Sequence, residues 1–151
     1  MERYSVTIPV GEPRRAWQHL ANAGLIEGTY TGRGDEFTIP GTNAPRGRIS
    51  NTAFDFVYIQ QSSHWGETHS TQSNGNQLLF GVEAGGFSRG AVLKPEEAWN
   101  IDTKMDDGRP DQGALQTDTA YSAACFTGAY PNATYALNVA TTACSFRFTL
   151  R

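Results

Sequence analysis

Apolar residues along this chain recur in two rhythms. Between Pro13 and Gly24, PRRAWQHLANAG, the period is helical: Trp17, Leu20 and Ala21 share a face, Pro13 stands at the start and Gly24 at the stop. A helix of three turns is marginal by itself, so it must be held by burial of Trp17 and Leu20. The same rhythm returns in PEEAWNIDTKMDDGRPDQG, residues Pro95–Gly113. Pro95 suits a first helical position, Glu96 and Glu97 complement the positive end of the helix dipole, and Ala98, Ile101 and Met105, with Trp99 beside them, draw one stripe. Asp106-Asp107-Gly108 ends this helix, because Gly accepts the left-handed backbone of a helix terminus, and Pro110 bars a restart.

Elsewhere the period is two. Tyr4, Val6, Ile8 and Val10 alternate weakly and predict a short strand or ordered arm over residues 1–12. The stretch Leu25–Ala53, rich in Gly, Pro, Thr and Asn, reads as a long loop with one short strand at Phe37–Ile39. Phe54–Ile59 is a strand of aromatic and β-branched residues, and the polar stretch Gln60–Gln77 carries a hairpin-type turn at Asn74-Gly75-Asn76. Leu78–Val82 is apolar on both parities, as a central strand is. Leu115–Thr117, Tyr135–Val139 and Cys144–Leu150 are the remaining strand candidates. The last sets Cys144, Phe146, Phe148 and Leu150 to one side and Ser145, Arg147 and Thr149 to the other. Two helices and about five strands without a βαβ rhythm predict an α+β fold with an antiparallel sheet, in one domain spanning 1–151.

Composition narrows the function. The net charge of -3 and the lack of any Lys/Arg run beyond Arg14-Arg15 argue against a nucleic-acid partner. No stretch approaches the roughly 20 apolar residues of a membrane helix, so no membrane contact is expected. Charged residues are only 18% while Ser, Thr, Asn and Gln abound, a surface common in secreted and cell-surface proteins. Cys125 and Cys144 lie near the C-terminus, 19 positions apart (144 − 125). They fit either two buried thiols or a disulfide in an oxidising compartment, which would contribute roughly 3 kcal/mol in the chain-entropy model.

Candidate chemistry is sparse. Gly86-Phe87-Ser88-Arg89-Gly90 matches G-x-S-x-G after a strand and before a helix, but a nucleophile elbow needs a later acid and then a His, and His19, His64 and His69 all precede Ser88. His64 and His69 lack the H-E-x-x-H spacing of a zinc site. Arg33-Gly34-Asp35 and the sequon Asn132-Ala133-Thr134 are short enough to arise by chance. The acidic loop fails the EF-hand register, since Lys104 takes a ligand position and Gly113 stands where Glu belongs. Asp106, Asp107 and Asp111 remain as candidate ligands of a less regular calcium cage. The competing reading has Asp106 or Asp107 capping loop N–H groups while Lys104 and Arg109 neutralise the carboxylates.

NIDTKMDDGRPDQG, with RAWQHLANAGLIEGTYTG near the start and CSFRFTL at the end, resembles the globular domain of bacterial type IV pilin-like proteins, the prepilin-type cleavage and methylation family of minor pilins and pseudopilins. The three blocks keep their order across most of the chain. The family's basic leader, Gly-Phe-Thr-Leu-like cleavage site and long apolar helix do not occur in these residues, so a monomeric soluble domain is expected. The resemblance implies an N-terminal helix packed on an antiparallel sheet and a C-terminal β region closed by a Cys125–Cys144 disulfide. It also implies a periplasmic or cell-surface location, and a non-catalytic structural or adhesive role with no cofactor. Partners would be other pilin or pseudopilin subunits, met through the N-terminal helix. The alternative is a small β-rich module binding carbohydrate or another ligand, with Trp65, Trp99, Tyr30, Tyr58, Tyr121 and Tyr130 as stacking candidates. An unrecognised hydrolase is the third reading, with no coherent active site.

Overall fold

The computed structural model describes residues 11–34, 37–59, 75–118 and 121–150. The predicted arm over residues 1–12 lies outside them except for its last two residues, as do Trp65, His64 and His69. Two helices, α1 (Gly11–Asn22) and α2 (Pro95–Met105), accompany seven strands: β1 (Thr52–Ile59), β2 (Gly75–Ala84), β3 (Phe87–Gly90), β4 (Leu115–Thr117), β5 (Phe126–Thr127), β6 (Thr134–Tyr135) and β7 (Phe146–Thr149). Five strands form one antiparallel sheet in the order β1-β2-β7-β4, with β3 also paired to β2, and β5 pairs with β6 separately. The fold is therefore mixed α+β.

The strand registers sort side chains into two faces, because directly opposed residues point the same way. Phe54 and Phe56 of β1 share a face with Phe80 and Leu78 of β2, Phe146 and Phe148 of β7, and Leu115 of β4. Trp17 of α1 stacks on Phe56 with ring centroids 4.1 Å apart, and Phe54 lies 4.9 Å from Phe80. Toward the other end of this face Leu93, Ala98, Leu115, Tyr135 and Phe146 form a second cluster around the disulfide.

The opposite face holds Ala53, Asp55 and Val57 beside Gly81, Leu79 and Gln77, with Arg147 and Gln116 following. A register shift between Val82 and Glu83 bends the β2–β3 hairpin. Phe87 thereby joins Val57 and Leu79, and the Ser88 N–H donates to Asp55 Oδ2 at 2.7 Å. Both faces are covered, so Ser145 and Arg147 are as buried as Phe146. Arg147 Nη2 donates to Gln116 Oε1 at 2.9 Å, and burial pulls the guanidinium pKa down to about 10.

Several expectations are corrected. Phe37–Ile39 is not a strand: the Asn43 side chain accepts the Ile39 N–H and donates to Phe37 O, so those groups need no ladder. Gly75 and Asn76 lie inside β2 opposite Ile59 and Tyr58, not in a turn. Only Thr134–Tyr135 of the Tyr135–Val139 candidate is strand, because Leu137 N–H turns back to Tyr135 O and Val139 N–H to Ala136 O. Segment Gly86–Gly90 leads into strand β3 after a two-residue Gly85-Gly86 turn, so Ser88 stands on no elbow. Within α2 the buried stripe is Pro95, Ala98 and Asp102, while Met105 is 65% exposed.

The disulfide is present, with Cα atoms 4.9 Å apart and both cysteines fully buried. It joins the turn after β4 to the start of the β7 segment. Cys144 also exchanges backbone hydrogen bonds with Leu93, and Cys125 accepts the Ala136 N–H.

Arg14, half of the Arg14-Arg15 basic pair, is fully buried and ion-paired to Asp55. Its Nη2 donates to Thr38 Oγ1 at 2.7 Å and to Gly86 O at 2.6 Å, and its guanidinium lies 5.4 Å from the Phe87 ring centroid. Burial lowers its pKa despite the raising effect of Asp55. Arg14→Leu strands the Asp55 carboxylate and should cost about 3–5 kcal/mol, whereas Arg15→Leu on the exposed side should cost less than about 0.5 kcal/mol. Denaturant midpoints of the two variants against wild type check this contrast.

Candidate functional site

The densest polar constellation is built where α2 ends. Helix α2 starts as its sequence dictates, with Pro95 in the first turn and Glu97 accepting the Lys94 N–H at 2.8 Å. It ends at Asp106, whose N–H bonds Asp102 O, and Gly108 follows at φ +74. That value lies in the left-handed region where Gly has no Cβ penalty.

Three carboxylates meet here. Oxygens of Asp102, Asp106 and Asp107 lie within 4.8 Å of one another, and only Asp102 is buried. Asp102 Oδ2 accepts the Tyr135 hydroxyl at 2.7 Å, and its Oδ1 accepts the Gly108 N–H at 3.2 Å. Asp106 Oδ2 accepts the N–H groups of Ala114 and Leu115 at 2.5 and 2.9 Å, which clamps the entry of β4. Asp107 Oδ1 accepts the Arg109 N–H at 2.9 Å. Asp111 stands apart from this cluster: it is buried and accepts the Ala133 N–H at 3.1 Å. Arg109 does not turn to the carboxylates. Its Nη2 donates to Pro131 O at 2.7 Å, and Gln112 Nε2 donates to the same oxygen at 2.6 Å. The acidic loop thus binds α2, β4 and the turn between β5 and β6 into one unit.

Desolvation raises the Asp102 pKa from 3.8 to about 6; the Tyr135 and Gly108 hydrogen bonds oppose the rise, and Asp107 and Asp106 add to it by repulsion. The Tyr135 hydroxyl is raised far above its ordinary value, first by burial and then by its bond to Asp102. Sequence periodicity missed Asp102 as a buried group, although it lies four residues after Ala98 on the buried stripe.

No catalytic arrangement emerges among the described residues. Ser88 is buried, its N–H serves Asp55, and His19, the one described histidine, is exposed on α1. Of the stacking candidates, Tyr30 belongs to the core and donates to Glu27 O, whereas Tyr58 of β1, Trp99 of α2 and Tyr121 of the loop after β4 are exposed apart from one another in the chain. Arg89, paired with Asp118 at 2.9 Å, lies 4.8 Å from the Tyr121 ring centroid. Asn132 and Thr134 of the sequon are exposed. No described helix is long and apolar enough to cross a membrane. Comparison of the chain with protein-family models, with curated proteins and with solved structures finds no match. The disulfide points to a non-cytoplasmic location.

Two sets of measurements follow from this geometry. Gly108→Ala should cost about 1 kcal/mol or more, from the left-handed backbone and from a Cβ placed 2.9 Å from Thr103 Oγ1. Asp106→Asn keeps an acceptor for both N–H groups and should be mild, while Asp106→Ala should cost about 1–3 kcal/mol. Thermal melting should be unchanged by EDTA or added Ca²⁺; a Ca²⁺-dependent rise abolished by Asp106→Asn or Asp107→Asn would make the loop a metal site.

Because the folded pKa of Asp102 is raised, its protonated form favours the fold. Its contribution is fully present below about pH 4 and is lost as pH rises through about 6, a change of order 2–3 kcal/mol. Melting temperature against pH for wild type and Asp102→Asn checks this. The difference between the two curves should shift across that window in favour of the Asn variant as pH rises.

Proposed function

We propose that this chain is a non-catalytic structural or adhesive subunit of a type IV pilus-like or type II secretion-like filament, working in the periplasm or at the cell surface. The observation that carries the reading is the disulfide-closed C-terminal region, tied by Asp102 and Asp106 to the α2 end. Asp102, Asp106 and Cys144 stand in the blocks of sequence that resemble pilin-like domains. An N-terminal helix whose Trp17 stacks on β1 supports it further. The reading requires no cofactor.

Partner subunits dock through α1. Trp17 faces the sheet, while Glu12, Arg15 and His19, spaced by three and four residues, stand exposed on one face of that helix. Antibody raised against this chain should decorate filaments sheared from cells that produce it. Arg15→Glu with His19→Glu should lower incorporation severalfold without moving the melting temperature. Label confined to the cytoplasm, or full incorporation of the doubly altered chain, would overturn the reading or its docking face respectively.

A further inference from the structure

Exposed Asp107 and half-buried Gly108 form an Asp–Gly peptide in the bend that follows α2. In such a pair the backbone nitrogen after Asp can attack the side-chain carboxyl carbon, forming a C–N bond and a five-membered succinimide as one water leaves. Water then opens the ring at either carbonyl, and opening at the backbone carbonyl leaves isoaspartate, with the main chain running through the side-chain carbon. No oxidant or reductant enters. Glycine hinders the attack least, since it has no Cβ.

The fold ties both reacting groups. Asp107 Oδ1 accepts the Arg109 N–H at 2.9 Å, and the attacking nitrogen, Gly108 N, donates its proton to buried Asp102 Oδ1 at 3.2 Å. Gly108 is held at φ +74 against Thr103, and Asp106 fastens the following loop to Ala114 and Leu115. Ring closure has to swing the Asp107 carboxyl carbon onto a nitrogen whose plane these contacts set. We propose that Asp107–Gly108 is an isoaspartate-forming modification site that the closed clamp protects and that opening of the clamp releases. Once formed, isoaspartate inserts an extra backbone atom between Asp106 and Gly108. The Gly108 N–H then loses its register with Asp102, and the link from α2 to β4 loosens.

The test ages the disulfide-intact protein at neutral pH and body temperature, folded and in urea. Isoaspartate is labelled with isoaspartyl methyltransferase and a tritiated methyl donor, and the site is mapped by tandem mass spectrometry. Label at residue 107 should appear on the order of tenfold or more faster in urea than in the folded chain. Asp106→Ala should raise the rate under folding conditions, Asp106→Asn should keep it near wild type, and Asp107→Glu should remove label at that position. Mapping separates residue 107 from the Asn74–Gly75 pair. Equal rates in urea and in the folded chain, or label in urea that spares residue 107, would overturn the proposal.

Discussion

The Asp55 carboxylate is the point on which one half of the molecule depends. It sits fully buried in the middle of β1 and takes its partners from three separate stretches: Arg14 of α1, the Thr38 hydroxyl at 2.6 Å from the loop before β1, and the Ser88 N–H of β3. A buried charge without partners costs several kcal/mol, so these segments are held where they satisfy it. Hydrophobic packing alone does not specify this arrangement. Trp17 on Phe56 fills space beside the sheet, but a stacked ring tolerates sliding, and the Arg14–Asp55 pair does not.

The other half solves the same problem with different chemistry. Around α2 the fixed points are a covalent bond, Cys125–Cys144, and a buried hydrogen bond from the Tyr135 hydroxyl to Asp102. Strand β5 and strand β6 have two residues each and bury little by themselves, so their position is inherited from these ties and from Arg109 and Gln112 on Pro131 O. The interior therefore holds several hydrogen-bonded polar pairs, including Arg89 with Asp118 and Ser122 with Ser145. Such a network favours one arrangement of the loops over its neighbours, which suits a protein whose proposed work is to present a fixed surface.

How much of this was legible in the chain follows from the range over which each signal acts. Both helices could be read from local rules, because Pro95, Glu97 and Gly108 act within one turn of where they stand and Gly24 marks the end of α1 at φ +69. The central place of β2 was legible in its two-sided apolar run, and Phe54–Ile59 in its aromatic and β-branched content. That Asp106 or Asp107 would accept loop N–H groups was legible too, but that Asp106 reaches on to Ala114 and Leu115 was not.

What only tertiary structure decided is which polar residues go inside. Arg14 and Arg15 are chemically alike and adjacent in sequence, yet one is buried on Asp55 and the other exposed, because the helix turns about 100° per residue and the sheet lies on one side only. Asp102 interrupts an apolar stripe in sequence and completes it in space, its donors coming from Tyr135, 33 residues on, and from Gly108. Phe37–Ile39 reads as a strand until Asn43 takes its backbone groups. Local pattern determines where helices and strands begin and end, since those rules act between near neighbours. The burial of a charge is determined by partners that only the folded chain brings within hydrogen-bonding distance.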